Sequence, residues 1–179
     1  MDMNYRMSAV TPSLCLKRIV SGGQTGVDRG ALDAALGVDF PCGGWVPGDR
    51  MAEDGVISDR YPLMALPDGD YQQRTRLNVV DSDGTVILYD GTLSDGTRLT
   101  RDLCKLLGRP CTLINAREIP DPGAAAESIL KFIANNNIET LNVAGPRASG
   151  WQDGYAFALG VVGQVLTKQA APVCANSAE

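Results

Sequence analysis

Histidine is absent from the sequence, which removes the commonest general base and the commonest metal ligand of proteins at once. Positive charge is also scarce, since 16 Lys and Arg stand against 21 Asp and Glu and the net charge is −5. Nucleic-acid binding requires clustered Lys and Arg that neutralise phosphates, so this balance argues against DNA or RNA as the main partner. A small anionic ligand needs only a few local donors and is compatible with the composition.

Cysteine is sparse, and no pair has the C-x-x-C spacing of zinc or thioredoxin-like sites. The five cysteines are Cys15, Cys42, Cys104, Cys111 and Cys174. Their odd number and scattered positions predict reduced thiols in a cytoplasmic protein, with Cys104 and Cys111 as small core residues. Residues 1–16 do not resemble a signal peptide, and no apolar stretch approaches the length of a membrane span. We therefore expect neither a membrane association nor a metal site built from His and Cys.

Short apolar runs alternate with segments whose apolar residues recur at helical spacing. Strands are predicted at 17–20, 85–89, 111–114 and 140–144. Helices are predicted at 27–35, 71–80, 99–107, 125–133 and 151–166. The alternation indicates right-handed βαβ units and an α/β fold, namely a three-layer Rossmann-like domain with a mainly parallel sheet and helices on both faces. This single domain is assigned to residues 17–167, between an N-terminal extension (1–16) and a flexible C-terminal tail (168–179).

The first predicted strand ends in a glycine-rich turn that leads into a helix. Glycines let the backbone approach a ligand, and the helix N-terminus presents free N–H groups to an anion. The candidate binding residues of this turn are Gly22, Gly23, Gln24, Thr25 and Gly26. Asp28, in the first turn of the helix, either complements the helix dipole or repels a phosphate, depending on its direction. The alternative is that the glycines only make a tight strand-to-helix turn.

The strand at 140–144 ends in a second glycine-containing loop, residues 145–149. Ligands of open parallel sheets bind beyond the carboxyl ends of the strands, so this loop and the glycine turn are expected at one edge. Arg147 is placed to bind a phosphate or carboxylate with its forked guanidinium, although a surface arginine is an equal alternative. The other candidate binding residues of this loop are Gly145, Pro146 and Ser149.

A long Gly- and Pro-rich segment, residues 38–69, shows little periodicity of either kind. Irregular segments of this length are uncommon in compact domains and tend to be functional or mobile. Trp45 offers a stacking ring, Arg50 offers an anion clamp, and Glu53 and Asp54 offer two carboxylates. A lid over the binding site and a loop packed by Trp45 with solvated charges explain these residues equally well.

Polar residues also surround the predicted strand at 85–89. Asp81, Asp83 and Asp90 could hold Mg²⁺ at a phosphate, but a simple Asp-Ser-Asp-Gly turn is the favoured explanation. The helices on either side carry further polar residues, for which structural roles such as capping are preferred to ligand contact: Arg74, Thr75, Thr97 and Thr100.

Several of these segments occur in a recognisable order: SGGQTGVDRGALDAA, GGWVPGDRMAEDG, YPL, RTRLNVVDSDGT, GTRLT and LNVAGPRAS. Together they resemble the putative molybdenum carrier family, a circularly permuted branch of the Rossmann-like superfamily that includes DprA/Smf and the Lonely Guy proteins. The resemblance spans about residues 18–166. It implies a Rossmann-like fold, a nucleotide- or pterin-type ligand at the glycine loops, and a homodimer or homotetramer. It further implies molybdenum cofactor as the ligand, with the phosphate on its pterin as the handle.

Lonely Guy enzymes cleave the ribose–base bond of nucleoside monophosphates and carry a PGGxGTxxE motif with a catalytic glutamate. Here Ser21 replaces the proline, Thr25 and Gly26 reverse the Gly-Thr order, and Arg29 stands where the glutamate would fall. The resemblance therefore does not supply the catalytic glutamate, and binding is the favoured activity.

Three hypotheses follow from the sequence. The first is a binding protein for a phosphorylated nucleotide-like or pterin ligand. The second is a nucleoside-phosphate hydrolase in which Asp28, Glu53 or Asp54 acts as acid or base, because histidine is absent. The third is an oligomeric scaffold whose glycine loops are turns only.

Overall fold

The computed structural model describes residues 16–170, so Cys15 and Cys174 and most of both predicted terminal extensions lie outside the described residues. In chain order the elements are β1 (Arg18–Val20), α1 (Val27–Leu36), β2 (Cys42–Gly43), β3 (Trp45–Pro47), β4 (Met51–Ala52), β5 (Gly55–Val56), β6 (Met64–Leu66), α2 (Tyr71–Val80), β7 (Gly84–Tyr89), α3 (Asp95–Leu106), β8 (Cys111–Asn115), α4 (Pro122–Asn136), β9 (Thr140–Ala144) and α5 (Gly154–Ala170). Each predicted strand and helix is present, and α3 begins four residues earlier than expected.

Five strands form one parallel sheet in the order β2-β1-β9-β7-β8. Val20 of β1 lies opposite Asn142 of β9, and Ala144 of β9 lies opposite Ile87 of β7. Because the strands are parallel, the segments that follow β1, β9 and β7 leave the sheet at the same edge. The predicted α/β fold with a mainly parallel sheet is confirmed.

Helices cover both faces of this sheet. The two faces can be distinguished along β7, because successive residues of a strand point to opposite sides. Val86 and Leu88 of β7 belong to the main hydrophobic core, which also contains buried residues of α1, α4 and α5. On the other side of the same strand, Thr85 hydrogen-bonds with Cys104 of α3, and α2 packs against α3. The three-layer arrangement of the prediction is therefore confirmed, and Cys104 is buried as expected.

Residues 38–69 are more regular than predicted. β3 pairs with β6 in parallel, and β4 and β5 form a short antiparallel hairpin. Strands of two or three residues are too short to show an alternating pattern, which explains why the sequence did not reveal them. The segment packs through a second buried cluster, made of Leu32, Val46, Ile57, Tyr61 and Leu63. The packed-loop interpretation thus describes this segment, although Val46 and not Trp45 anchors it.

The C-terminal helix continues beyond the predicted boundary at residue 167. Lys168 Nζ pairs with Glu127 Oε1 of α4 at 3.0 Å, and Gln169 Nε2 donates a hydrogen bond to the Leu16 carbonyl at 2.7 Å. Residues 168–170 are therefore helical, a correction to the predicted flexible tail, whose remainder lies outside the described residues. Among the helices between residues 16 and 170, none combines the length and apolar character needed to cross a membrane.

Candidate ligand-binding cleft

A cleft of about 590 Å³ lies beyond the carboxyl ends of β1 and β9. Its lining comes from the glycine turn after β1, from β9 and the loop after it, from one face of α2 and from the N-terminal half of α3. The two loops that were expected to meet are in contact, because the Ala148 N–H donates to Thr25 Oγ1 at 3.1 Å. The predicted binding residues that line the cleft are Gly22, Gln24, Gly145, Pro146, Arg147 and Ser149.

The other residues of the glycine turn set its shape and do not line the cleft. Gly26 has φ 77° and ψ −128°, and a Cβ there would lie 2.6 Å from the Pro146 carbonyl oxygen. Gly23 has φ 71°, and a Cβ there would lie 2.5 Å from Leu63 Cδ1 in the second hydrophobic cluster. The turn is therefore both a tight strand-to-helix connection and, through Gly22 and Gln24, one wall of the cleft.

Arg74 of α2 is a buried cation in this cleft, with 6% of its surface exposed. Its Nη1 lies 3.8 Å from Asp28 Oδ2, and its guanidinium stacks over the Tyr71 ring at 4.4 Å. Its Nε is buried without a hydrogen-bond partner. A Cβ at Gly22 would lie 1.5 Å from Nη1, so the guanidinium rests directly against the glycine turn. Arg74 thus presents an incompletely neutralised charge to the cleft.

Asp28 points into the cleft, which resolves the direction that the sequence left open. The Gln24 N–H donates to its Oδ2 at 3.2 Å. Burial raises the pKa of Asp28 to about 6. The charge of Arg74 and the hydrogen bonds from the glycine turn lower this pKa, but their effect is smaller than that of burial. Asp28 therefore changes its charge close to neutral pH, as an acid–base group does.

Glu53, at the tip of the β4–β5 hairpin, reaches the loop after β9. Its Oε1 accepts hydrogen bonds from the Thr25 hydroxyl and from the Ser149 N–H, the latter at 3.2 Å. Its Oε2 accepts from Ser149 Oγ at 2.6 Å and lies 3.9 Å from Arg147 Nε. These contacts, with Ser149 the strongest contributor, lower the pKa of Glu53. Glu53 is also not among the residues that line the cleft, which does not favour the acid–base role considered for it.

Asp54 also does not suit an acid–base role. Arg29 donates to both of its carboxylate oxygens, at 2.5 and 2.8 Å, and this pair lowers the pKa of Asp54. Arg29 therefore anchors the hairpin tip to α1, in the position where the Lonely Guy motif has glutamate. Asp54 is not among the residues that line the cleft.

Arg50 holds residues 38–69 together and Trp45 ties them to the end of α2, and neither is among the cleft-lining residues. Arg50 donates to the carbonyls of Leu63, Ser58 and Ile57 at 2.8, 3.3 and 3.4 Å. The Trp45 indole N–H donates to Asp81 at 2.7 Å. Both side chains use their donors within the protein, so the stacking ring and the anion clamp proposed from the sequence do not face the cleft.

The cleft contains polar residues that the sequence either assigned to structural roles or did not single out. Structural roles were preferred for Arg74, Thr75, Thr97 and Thr100, and the cleft residues that were missed are Asn78, Ser94 and Asn142. The capping role preferred for the threonines at the start of α3 is wrong, because Ser94 is the N-cap and its side chain accepts from the Thr97 N–H at 3.4 Å. A usable signal existed: Ser94 begins a helix directly after a buried strand, which is where ligands of parallel sheets bind.

The three aspartates considered for Mg²⁺ have separate protein partners. Asp83 accepts from the Thr140 N–H at 2.8 Å, Asp90 pairs with Arg117 at 2.7 Å, and Asp81 binds the Trp45 indole. Within residues 16–170, no group of three or more Asp, Glu, Cys or His is arranged to hold a metal ion. Structural roles in turns and loop contacts account for all three aspartates.

Comparison with known proteins adds to this geometry. The circularly permutated YpsA SLOG family matches residues 19–166. The crystal structure of the putative molybdenum carrier protein from Syntrophus aciditrophicus SB, at 1.45 Å resolution, is 39% identical in sequence, with a TM-score of 0.82. The match covers 87% of this chain and 96% of that protein. No curated protein matches the chain.

Proposed function

The chain belongs to the circularly permutated YpsA SLOG family, and from this membership we propose that its cleft binds a phosphorylated pterin or nucleotide-like ligand in a carrier role. Molybdenum cofactor is our preferred ligand, because the similar Syntrophus protein is described as a putative molybdenum carrier. A nucleotide is the alternative ligand, since a ribose phosphate presents the same kind of anionic handle.

The observation that carries the proposal is the buried guanidinium of Arg74. A buried charge costs free energy unless it is paired and hydrogen-bonded. Asp28 lies 3.8 Å away, which is beyond hydrogen-bond distance, and Arg74 Nε has no partner. A phosphate oxygen in the cleft would neutralise this charge and satisfy the free donor.

The remaining features of the cleft are consistent with such a ligand. Its volume of about 590 Å³ lies within the range of small-molecule sites. Gly22 keeps the backbone close to the guanidinium, and Tyr71 adds an aromatic ring beside it.

Replacing Arg74 with Met tests the proposal. Methionine keeps much of the apolar stem but removes the charge and the donors. We expect the Kd for molybdenum cofactor, or for the nucleoside monophosphate that binds best, to rise about 100-fold, as the loss of a bidentate charged hydrogen bond of roughly 3 kcal/mol predicts. Isothermal titration calorimetry measures this change.

Arg76→Met is the matched control, because Arg76 lies on the exposed side of the same helix. It removes the same charge two residues away, and we expect its Kd to stay within about twofold of the wild type, given that surface charges contribute little. Circular dichroism verifies that both variants fold. Equal binding by Arg74→Met and the wild type would refute a phosphate site at Arg74.

A hydrolase is the second candidate function, and Asp28 is the observation that favours it. Of the three carboxylates considered for catalysis, only Asp28 lies in the cleft with a pKa raised to about 6. Incubation with nucleoside monophosphates, followed by chromatography, detects released base. We expect Asp28→Asn to abolish any release; persistence of the activity in this variant would exclude Asp28 as its acid–base group.

The oligomeric state and the location are proposed on the resemblance and on the composition. A homodimer or homotetramer is expected from light scattering of the purified chain. A cytoplasmic location is expected from fluorescence of a tagged chain in cells. A monomeric molar mass would contradict the proposed assembly.

A further inference from the structure

A second set of anion-binding donors lies at the rim of the cleft, and Glu53 occupies it. We call this set the rim site: the Thr25 hydroxyl, the N–H and hydroxyl of Ser149, and the Arg147 guanidinium. The Glu53 carboxylate accepts from the Thr25 hydroxyl and from both Ser149 donors, at 3.2 and 2.6 Å for Ser149, and lies 3.9 Å from Arg147 Nε. Hydroxyl, amide and guanidinium donors converging on one anion are also the groups that bind phosphates.

The rim site opens into the cleft that contains Arg74. Arg147 and Ser149 line the cleft, as does Gln24, whose Oε1 accepts from the N–H groups of Thr25 and Glu53 at 3.0 Å each. A ligand bound at Arg74 and extending toward the loop after β9 would therefore reach the donors that Glu53 now uses.

The hairpin that carries Glu53 lies at the surface and contacts the second hydrophobic cluster through the half-buried Ala52. β4 and β5 contain two residues each, and Met51 and Val56 are 46% and 71% exposed. The hairpin tip is also attached by the ion pair of Asp54 with Arg29 and by the hydrogen bond from the Glu53 N–H to Gln24 Oε1. These attachments are few and mostly polar, which is typical of segments that open locally while the rest of the domain stays folded.

We propose that Glu53 is a built-in competitor that a ligand with two anionic groups displaces. One group of the ligand binds at Arg74, and the second takes the rim site from the Glu53 carboxylate. This inference rests on the proposed function and specifies its ligand class as diphosphate-like, for example a nucleoside 5′-diphosphate. In the unliganded protein, Glu53 keeps the rim donors paired and the hairpin in place.

Glu53→Gln tests the proposal, because glutamine keeps the shape of the side chain but removes the competing charge. Calorimetry compares a nucleoside 5′-diphosphate with the corresponding monophosphate. We expect the diphosphate to bind about tenfold more tightly to Glu53→Gln than to the wild type, as the loss of one charged competitor predicts. The monophosphate, which reaches only Arg74, is expected to stay within about twofold.

Asp59→Asn is the matched control, since it makes the same charge change in the same segment at a fully exposed side chain. We expect it to leave the affinity for both nucleotides unchanged. Unchanged or weaker diphosphate binding in Glu53→Gln would overturn the proposal and make Glu53 a purely structural tie. Equal tightening for both nucleotides would also overturn it, by indicating a general charge effect.

The Arg74→Met variant separates failure of this inference from failure of the proposed function. If nucleotide binding requires Arg74 but does not respond to Glu53→Gln, only the inference fails. If neither nucleotide binds to the wild type or to Glu53→Gln, no anion displaces Glu53 and the inference is again rejected. A molybdenum cofactor titration of Arg74→Met then decides the proposed function by itself.

Discussion

Gly26→Ala is expected to lower the free energy of unfolding by about 3–4 kcal/mol, the sum of the costs of a positive φ and of overpacking. The backbone at Gly26, with φ 77° and ψ −128°, lies outside the regions that L-residues occupy. A Cβ there would also lie 2.6 Å from the Pro146 carbonyl oxygen and 2.8 Å from the Ala148 nitrogen. Both contacts are backbone atoms, so no side-chain rotation relieves them. Urea denaturation measures the loss.

Gly108→Ala is the control for this prediction. Gly108 also has a positive φ, 62°, but a Cβ there would meet nothing within 4 Å. We expect a loss of about 1 kcal/mol from the left-handed backbone alone. The difference between the two variants measures the additional backbone strain at Gly26 together with its close contact with the loop after β9. Equal losses would show that this contact contributes nothing.

Asp28→Asn is expected to remove a pH dependence of stability between about pH 4 and pH 6. The folded state raises the pKa of Asp28 from 3.8 to about 6, so it binds the proton more tightly than the unfolded chain does. Stability from this group is complete below pH 4 and declines as the pH rises to 6, by about 3 kcal/mol for two pH units. Denaturation series at several pH values, compared with the wild type, reveal the missing decline.

The comparison between variant and wild type is needed because other carboxylates have the opposite effect. The lowered pKa values of Glu53 and Asp54 mean that their contributions are present at neutral pH and are lost on acidification. These contributions are common to both proteins and cancel in the difference. Parallel stability curves for the wild type and Asp28→Asn would show that Asp28 titrates as an exposed carboxyl does.

The sequence predicted the fold well because the fold depends on local patterns. Buried parallel strands have continuous apolar runs, and α1, α4 and α5 have apolar residues at helical spacing, so periodicity located both. The meeting of the glycine turn with the loop after β9 followed from the rule for parallel sheets. The strands within residues 38–69 were missed because two or three residues carry no readable period.

The cleft was less predictable, since its key contacts join distant parts of the chain. Arg74, Thr75 and Asn78 are polar residues on the buried side of α2, and polar helix residues ordinarily indicate a solvent-exposed face. Glu53 and Ser149 are 96 positions apart. Nothing local to Glu53 indicates that its carboxylate finds three donors there. The pairing of Asp28 with Arg74 likewise depends on the packing of α2, which brings the two residues together.

The hydrogen bond from Gln169 to the Leu16 carbonyl holds the two ends of the described chain together. Because the two ends of the described chain are neighbours in space, a short linker could join them, and the chain could be reopened at another surface turn. The sheet and both walls of the cleft would keep their positions in such a rearranged chain. The position of the chain termini then determines which glycine loop comes first in the sequence. The geometry of the cleft does not depend on that order.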